Sequence, residues 1–229
     1  MVHAVTASGA VLAFLALTAI YQKDWALALI WLLVALAVDG IDGSLARLAR
    51  VKERAPRIDG ETLDLVIDYL NYVFVPAVLI VQAGLVPAAL APLLAGLILV
   101  SSLYNFTRRD LKTEDNYFRG FPALWNVVAF YLFVARPGTA AGATAICVFT
   151  ALTFAPVHFV HPFRVRDYGR WLPILACLWA GATAALLWPG WSEAARATWL
   201  GFSLAAAAGL LALGLLRSLR GARATGQSR

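Results

Sequence analysis

The chain has 229 residues, 61% hydrophobic and only 14% charged, with a formal net charge of +6. A soluble domain carries about 25% charged residues, so a water-soluble globular fold is excluded and a polytopic, all-α membrane protein is expected. No separate soluble domain fits between the apolar runs, and no nucleic-acid partner is expected.

A membrane-crossing helix needs about 20 predominantly apolar residues. Eight such spans are expected in chain order, at 4–21, 25–45, 62–83, 86–104, 120–136, 139–160, 170–188 and 195–216. The first is expected to be a retained helix, because no basic n-region with a clear cleavage site precedes or follows it. Short connections carry turn residues at Gly84 to Pro87, at Arg136-Pro137-Gly138 and at Pro189-Gly190-Trp191. Residues 1–216 are read as one transmembrane domain and 217–229 as a short basic tail. Cys147 and Cys177 both fall inside apolar runs and form neither a metal-ligand pattern nor a disulfide framework.

Charge sets the expected topology. Alternate connections hold Arg47, Arg50, Lys52, Arg54 and Arg57, then Arg108, Arg109, Lys112 and Arg119, then Arg164, Arg166 and Arg170. With Arg217, Arg220, Arg223 and Arg229 these make 16 of the 19 basic residues, leaving Lys23, Arg136 and Arg196 on the other side. The positive-inside rule makes the basic side cytoplasmic, with both termini there. Such a rim also attracts anionic membrane lipids.

Four acids stand against this apolar background. Asp39 and Asp42 lie in Asp39-Gly-Ile-Asp42-Gly43-Ser-Leu-Ala46-Arg47, and Asp64 and Asp68 in Gly60-Glu-Thr-Leu-Asp64-Leu-Val-Ile-Asp68. An acid at the centre of a transmembrane helix costs roughly 2.5–3.5 kcal/mol on insertion scales. The expected topology moves all four to cytoplasmic helix ends, where that cost is lower. Spacings of three and four put each pair on one helix face. Two such faces can converge on a hard divalent cation, because carboxylate oxygens suit Mg²⁺ or Mn²⁺. Four acids exceed what one Mg²⁺ usually takes from protein, so two ions sharing ligands are expected.

The neighbouring residues extend the pattern. Gly43 and Gly60 lack a Cβ and allow a bulky ligand near the backbone. Ala46 keeps the face shallow, and Arg47 can hold a phosphate in bidentate fashion. The set describes a metal-diphosphate site, in which one acid could act as a general base.

The run resembles the signature of the CDP-alcohol phosphatidyltransferase family, Asp-x2-Asp-Gly-x2-Ala-Arg, a spacer, then Gly-x3-Asp-x3-Asp. Asp39, Asp42, Gly43, Ala46, Arg47, Gly60, Asp64 and Asp68 fill every fixed position. The spacer from Leu48 to Asp59 is longer than in most members and is similar to that of the bacterial branch that makes phosphatidylcholine. The run Asp68 to Pro76 and the eight spans, two beyond the six-helix family core, are similar to that branch too. The resemblance implies condensation of CDP-diacylglycerol with free choline, releasing CMP, with Mn²⁺ or Mg²⁺ as cofactor. It implies Asp39, Asp42, Asp64 and Asp68 as metal ligands, with Asp68 also the base. Gly43, Ala46, Arg47 and Gly60 would line the CDP-diacylglycerol site. A homodimer in the bacterial inner membrane, with the active site facing the cytoplasm, is likewise implied.

A quaternary ammonium cannot donate a hydrogen bond and is usually met by aromatic faces. Asn71 and Tyr72 share the helix face of Asp64 and Asp68, making Tyr72 the first candidate for a choline cage wall. Tyr104, Trp125 and His158 near other cytoplasmic helix ends are further candidates, although aromatics collect at membrane interfaces without any ligand. Serine, glycerol 3-phosphate or an inositol are the alternative acceptors; no basic residue follows Asp68 through Gln82 to meet a phosphorylated one. An ion-coupled transporter would also use intramembrane acids, but near the bilayer midplane on interrupted helices.

Overall fold

The computed structural model describes the backbone of residues 2–48 and 59–220 and the side chains of residues 3–40 and 59–220. Among the described residues, eight helices answer to the eight expected spans. They are α1 (Val2–Tyr21), α2 (Trp25–Leu48), α3 (Gly60–Gln82), α4 (Ala88–Thr107), α5 (Trp125–Ala135), α6 (Thr139–Phe154), α7 (Trp171–Ala185) and α8 (Glu193–Arg220). The expected tail residues beyond Arg220 lie outside the described residues. The protein is a multi-pass helical membrane protein: α1, α3, α4 and α8 are each long and apolar enough to cross a bilayer.

Of the other helices, α5, α6 and α7 are shorter than the sequence suggests. α5 has 11 residues and rises about 16 Å at 1.5 Å per residue, against a hydrocarbon core of about 30 Å. The span expected from residue 120 begins as a helix only at Trp125, because Gly120 and Ala123 adopt positive φ and Pro122 stands between them. The span expected to run to 160 ends at Phe154, two residues before Pro156, whose ring disfavours helical geometry in the residue preceding it. The turn signals hold: Gly84, Arg136 and Gly138 all take left-handed φ at helix ends.

Two compact units emerge, residues 1–107 with 123–148, and 108–122 with 149–229. In the first, α1 packs along α2 and the first half of α3, while the second half of α3 packs against α4 and α5. Ala13, Ala16 and Ala19 of α1 and Ala28 and Ala35 of α2 are buried. Small residues let membrane helices approach closely, where van der Waals contact replaces the hydrophobic drive. Asn71 to Val73, Val75 to Ala77, Leu79 and Ile80 are buried too, which makes α3 the axis of this unit. Exposed Phe14, Val100 and Leu103 present apolar surface suited to lipid, as do Cys147 and Cys177.

In the second unit a two-residue strand β1 (Phe118–Arg119) pairs antiparallel with β2 (His158–Phe159), an element absent from the helical expectation. The Gly120 N–H continues the pairing by donating to the Val157 carbonyl at 2.7 Å. Gly120 has φ +80° and faces the Thr153 carbonyl, so a side chain there would be both strained and obstructed. The helix end of α8 is fastened to this loop by Arg217, which donates to Asp115 at 2.7 Å and lies over the Tyr117 ring. Tyr117 is fully buried and donates its hydroxyl to Asp167 at 3.0 Å. Burial, and then that bond, pushes the Tyr117 phenol well above its usual range.

Burial raises the Asp115 carboxyl, but donation by Arg217 and Thr113 outweighs it, and the net pKa is lowered. A carboxyl lowered in the folded state adds stability that is complete above its unfolded pKa of about 3.9 and is lost as pH falls through the folded value. Asp115→Ala, leaving the Arg217 charge largely buried, should cost about 1–3 kcal/mol and lower the melting temperature in detergent at pH 7. Asp115→Ala/Arg217→Met should recover part of that loss, and the wild-type margin over Asp115→Ala should shrink toward pH 3.

Candidate functional site

Asp39 lies on α2, and Asp64 and Asp68 lie on consecutive turns of α3. Asp59 fixes where α3 begins. Its side chain accepts from the Glu61 and Thr62 N–H groups at 3.1 Å and from the Thr62 hydroxyl at 2.6 Å, an N-cap that starts the helix at Gly60. One turn later, Asp64 and Asp68 project from the face that meets α1 and α2.

The three carboxylates converge. One oxygen from each of Asp39, Asp64 and Asp68 lies within 4.8 Å of the others, and all three residues are partly buried. Like charges so close repel unless a cation lies among them. Three hard oxygens at this separation fit a divalent cation such as Mg²⁺ or Mn²⁺. The side chains of Asp42, Gly43, Ala46 and Arg47 lie outside the described residues, though their backbone continues α2.

Immediately after Asp68 the helix changes form. Tyr69–Phe74 is a π-helical segment inside α3, with the Val75 N–H donating to the Leu70 carbonyl, five residues back. Pro76 follows, and its missing N–H removes the partner that the Tyr72 carbonyl would have had in a regular α-helix. Such wide turns recur at functional sites. This one carries Asn71 and Tyr72, both buried, into the cleft with the acids.

Each makes a defined contact. The Tyr72 hydroxyl donates to Asp39 Oδ2 at 2.6 Å, across 33 residues of sequence. Asn71 Nδ2 donates to the carbonyls of Gly9 at 3.0 Å and Ile67 at 3.1 Å. Two carbonyls on one side fix the amide orientation. Asn71 Oδ1 therefore faces away from them, and among the described residues it has no hydrogen-bond partner although it is buried.

The helix α1 closes the cleft, a contribution that the sequence reasoning missed. Thr6 and Gly9 line it beside Ala35, Val38 and Ile67. A Cβ on Gly9 would strike Ile67 and crowd the Asn71 amide. His3 lies against Gly60, where a Cβ would come 2.8 Å from His3 Cε1. The signal was present: His3, Thr6 and Gly9 recur every three residues, a polar and small stripe in an otherwise apolar helix.

The other aromatic candidates stand differently. Trp125 is fully buried, with its indole N–H donating to Ser102 Oγ at 2.8 Å, so its ring is packed into the core. Tyr104 is 46% exposed on α4. Neither lines the cleft of the three acids. His158 belongs to the second unit, where its backbone N–H donates to Ser218 Oγ at 2.7 Å. Burial and then the Arg217 charge hold its imidazole below the usual histidine range.

A family model for CDP-alcohol phosphatidyltransferase matches residues 3–157. The chain is also similar to proteins named phosphatidylcholine synthase. It is 50% identical to one from Pseudomonas aeruginosa, over 73% of this chain and 70% of that protein. It is 45% identical to one from Bradyrhizobium diazoefficiens, over 78% and 67%, and 42% identical to one from Mesorhizobium japonicum, over 80% and 70%. The matched segment starts in α1 and contains all three converging acids, and the chain belongs to the CDP-alcohol phosphatidyltransferase family.

Proposed function

We propose that this enzyme makes phosphatidylcholine by transferring the phosphatidyl group of CDP-diacylglycerol to free choline, with release of CMP. The observation that carries the reading is the convergence of Asp39, Asp64 and Asp68 within 4.8 Å. It is joined by relatives named for this product. Asp39, Asp64 and Asp68, together with Asp42, would hold a divalent cation, Mn²⁺ ahead of Mg²⁺ and two ions sharing ligands, which when bound stabilises charge on the diphosphate oxygens. Gly43, Ala46, Arg47 and Gly60 serve the CDP moiety, with the guanidinium pairing to phosphate.

The chain's own residues then handle the acceptor. Asp68 takes the proton of the choline hydroxyl as that oxygen bonds to the phosphatidyl phosphorus. The bond from the same phosphorus to the CMP oxygen breaks, and CMP leaves with its electron pair. Tyr72, buried beside the acids, offers its ring as a wall for the quaternary ammonium, with Asn71 next to it. The arginine-rich connections support a cleft facing the cytoplasm from a bacterial inner membrane, where a soluble alcohol would arrive from water. A homodimer among anionic lipids completes the proposal.

Three outcomes are expected of purified protein in detergent. With CDP-diacylglycerol and Mn²⁺, choline should release CMP, whereas serine, glycerol 3-phosphate and inositol should release little; turnover with one of those and none with choline would sink the acceptor assignment. Asp68→Asn should lower turnover by at least about 10²-fold while the protein still elutes as a folded species, and near-normal turnover would remove Asp68 as the base. At saturating Mn²⁺, Tyr72→Ala should raise the KM for choline more than that for CDP-diacylglycerol, and Tyr72→Phe, which keeps the ring, should not. Equal changes in both KM values for Tyr72→Ala would take Tyr72 out of the cage.

A further inference from the structure

The Tyr72 hydroxyl has a role separate from its ring. We propose that it is a positioning group for Asp39, aiming that carboxylate at the cation and thereby setting the affinity of the site for metal. The inference rests on the proposed use of Asp39, Asp64 and Asp68 as cation ligands.

Three observations carry it. First, Tyr72 is 6% exposed, and its hydroxyl donates to Asp39 Oδ2 at 2.6 Å. A distance in this range marks a charge-assisted bond from a neutral hydroxyl to a carboxylate, about twice as strong as one between neutral groups. Second, Asp39 is the only one of the three converging acids that comes from α2; Asp64 and Asp68 share α3 and are held by its helical spacing. Asp39 therefore has to be aligned to the pair across a helix interface, and Tyr72, from α3, supplies a bond across it. Third, Tyr72 reaches Asp39 from the π-helical segment. The wide turn after Asp68 brings a side chain from the Asp64 and Asp68 helix back onto the remaining acid.

The physical effect follows from carboxylate chemistry. An ionised carboxylate has about four lone-pair sites on two oxygens and rotates freely unless one oxygen is held. Holding Oδ2 by the phenol restricts that rotation in a group whose ligand oxygen lies within 4.8 Å of those of Asp64 and Asp68. Outer partners that orient a ligand in this way typically change metal affinity 10–100-fold when removed. A merely structural tether between α2 and α3 would change stability and leave the affinity of the folded protein alone.

The test is direct binding of Mn²⁺ to the full chain in detergent, without either substrate, read from the loss of the free-ion electron paramagnetic resonance signal. Tyr72→Phe should bind about 10-fold more weakly than wild type, and Tyr72→Leu should show a similar loss. In an Asp39→Asn background, Tyr72→Phe should have little further effect, because the hydroxyl acts through that carboxylate. Wild-type affinity in folded Tyr72→Phe, or the same fold-loss in both backgrounds, overturns the role of the hydroxyl and leaves the carboxylate site standing. No binding by wild type, or undiminished binding by Asp64→Asn, overturns the carboxylate site itself and this inference with it.

Discussion

Three carboxylates held within one small cleft, in a chain that is otherwise largely apolar, form the constraint on which the rest of this structure turns. Their mutual repulsion disfavours the fold unless a cation is present or donors offset it. The surrounding architecture can be understood as what holds them there regardless. The Asp59 cap sets where α3 begins, the i,i+4 spacing aligns Asp64 with Asp68, and the alanine-lined contact of α1 with α2 brings Asp39 close. Asn71 locks α3 to the Gly9 carbonyl of α1, and the missing side chain at Gly9 makes that approach possible. Each of these acts through backbone placement, which suits a site whose ligands must hold their positions against their own electrostatics.

Much of this is legible in the order of the residues. The spacing of Asp39, Asp64 and Asp68, and the apolar runs that bear them, specify two helix faces and their convergence. Tyr72 is legible as a neighbour of the acids, but only as an aromatic ring. Its hydroxyl bond is made from within the π-helical segment, and a one-residue change in helical register leaves no periodic trace in a run where most side chains are apolar. Pro76 is the available hint, since a proline inside an apolar helix must be accommodated somewhere upstream. The share of α1 in the cleft is hidden for a different reason: hydropathy identifies a span without saying which face meets which neighbour. The early end of α6 and the late start of α5 are obscured because apolar residues continue through the strand pairing of Phe118–Arg119 with His158–Phe159.

The second unit solves another problem with similar means. Its loop residues carry charges close to apolar helices, and several of its acids accept hydrogen bonds from a partner side chain. Arg217 meets Asp115, Arg108 meets Asp110 at 2.9 Å, and the Tyr117 phenol meets Asp167. Arg217 lies in the last turn of α8, where a cation also complements the helix dipole. Sequence shows these residues as topology signals; which acid each arginine meets is decided by the fold.

The cleft of the first unit has a lopsided inventory of hydrogen donors and acceptors. Its carboxylates only accept, the Asn71 amide hydrogens are committed to two carbonyls, and the hydrogen of Tyr72 is committed to Asp39. The buried Asn71 oxygen adds one more acceptor. Among the described residues lining it, the hydroxyl of Thr6 is the remaining side-chain group capable of donating. Among the described residues, a solute that needs to be given hydrogen bonds finds few donors, whereas one that brings positive charge meets carboxylates. Discrimination of that kind works by omission: it is built from what the wall lacks, and adding a single donor would weaken it.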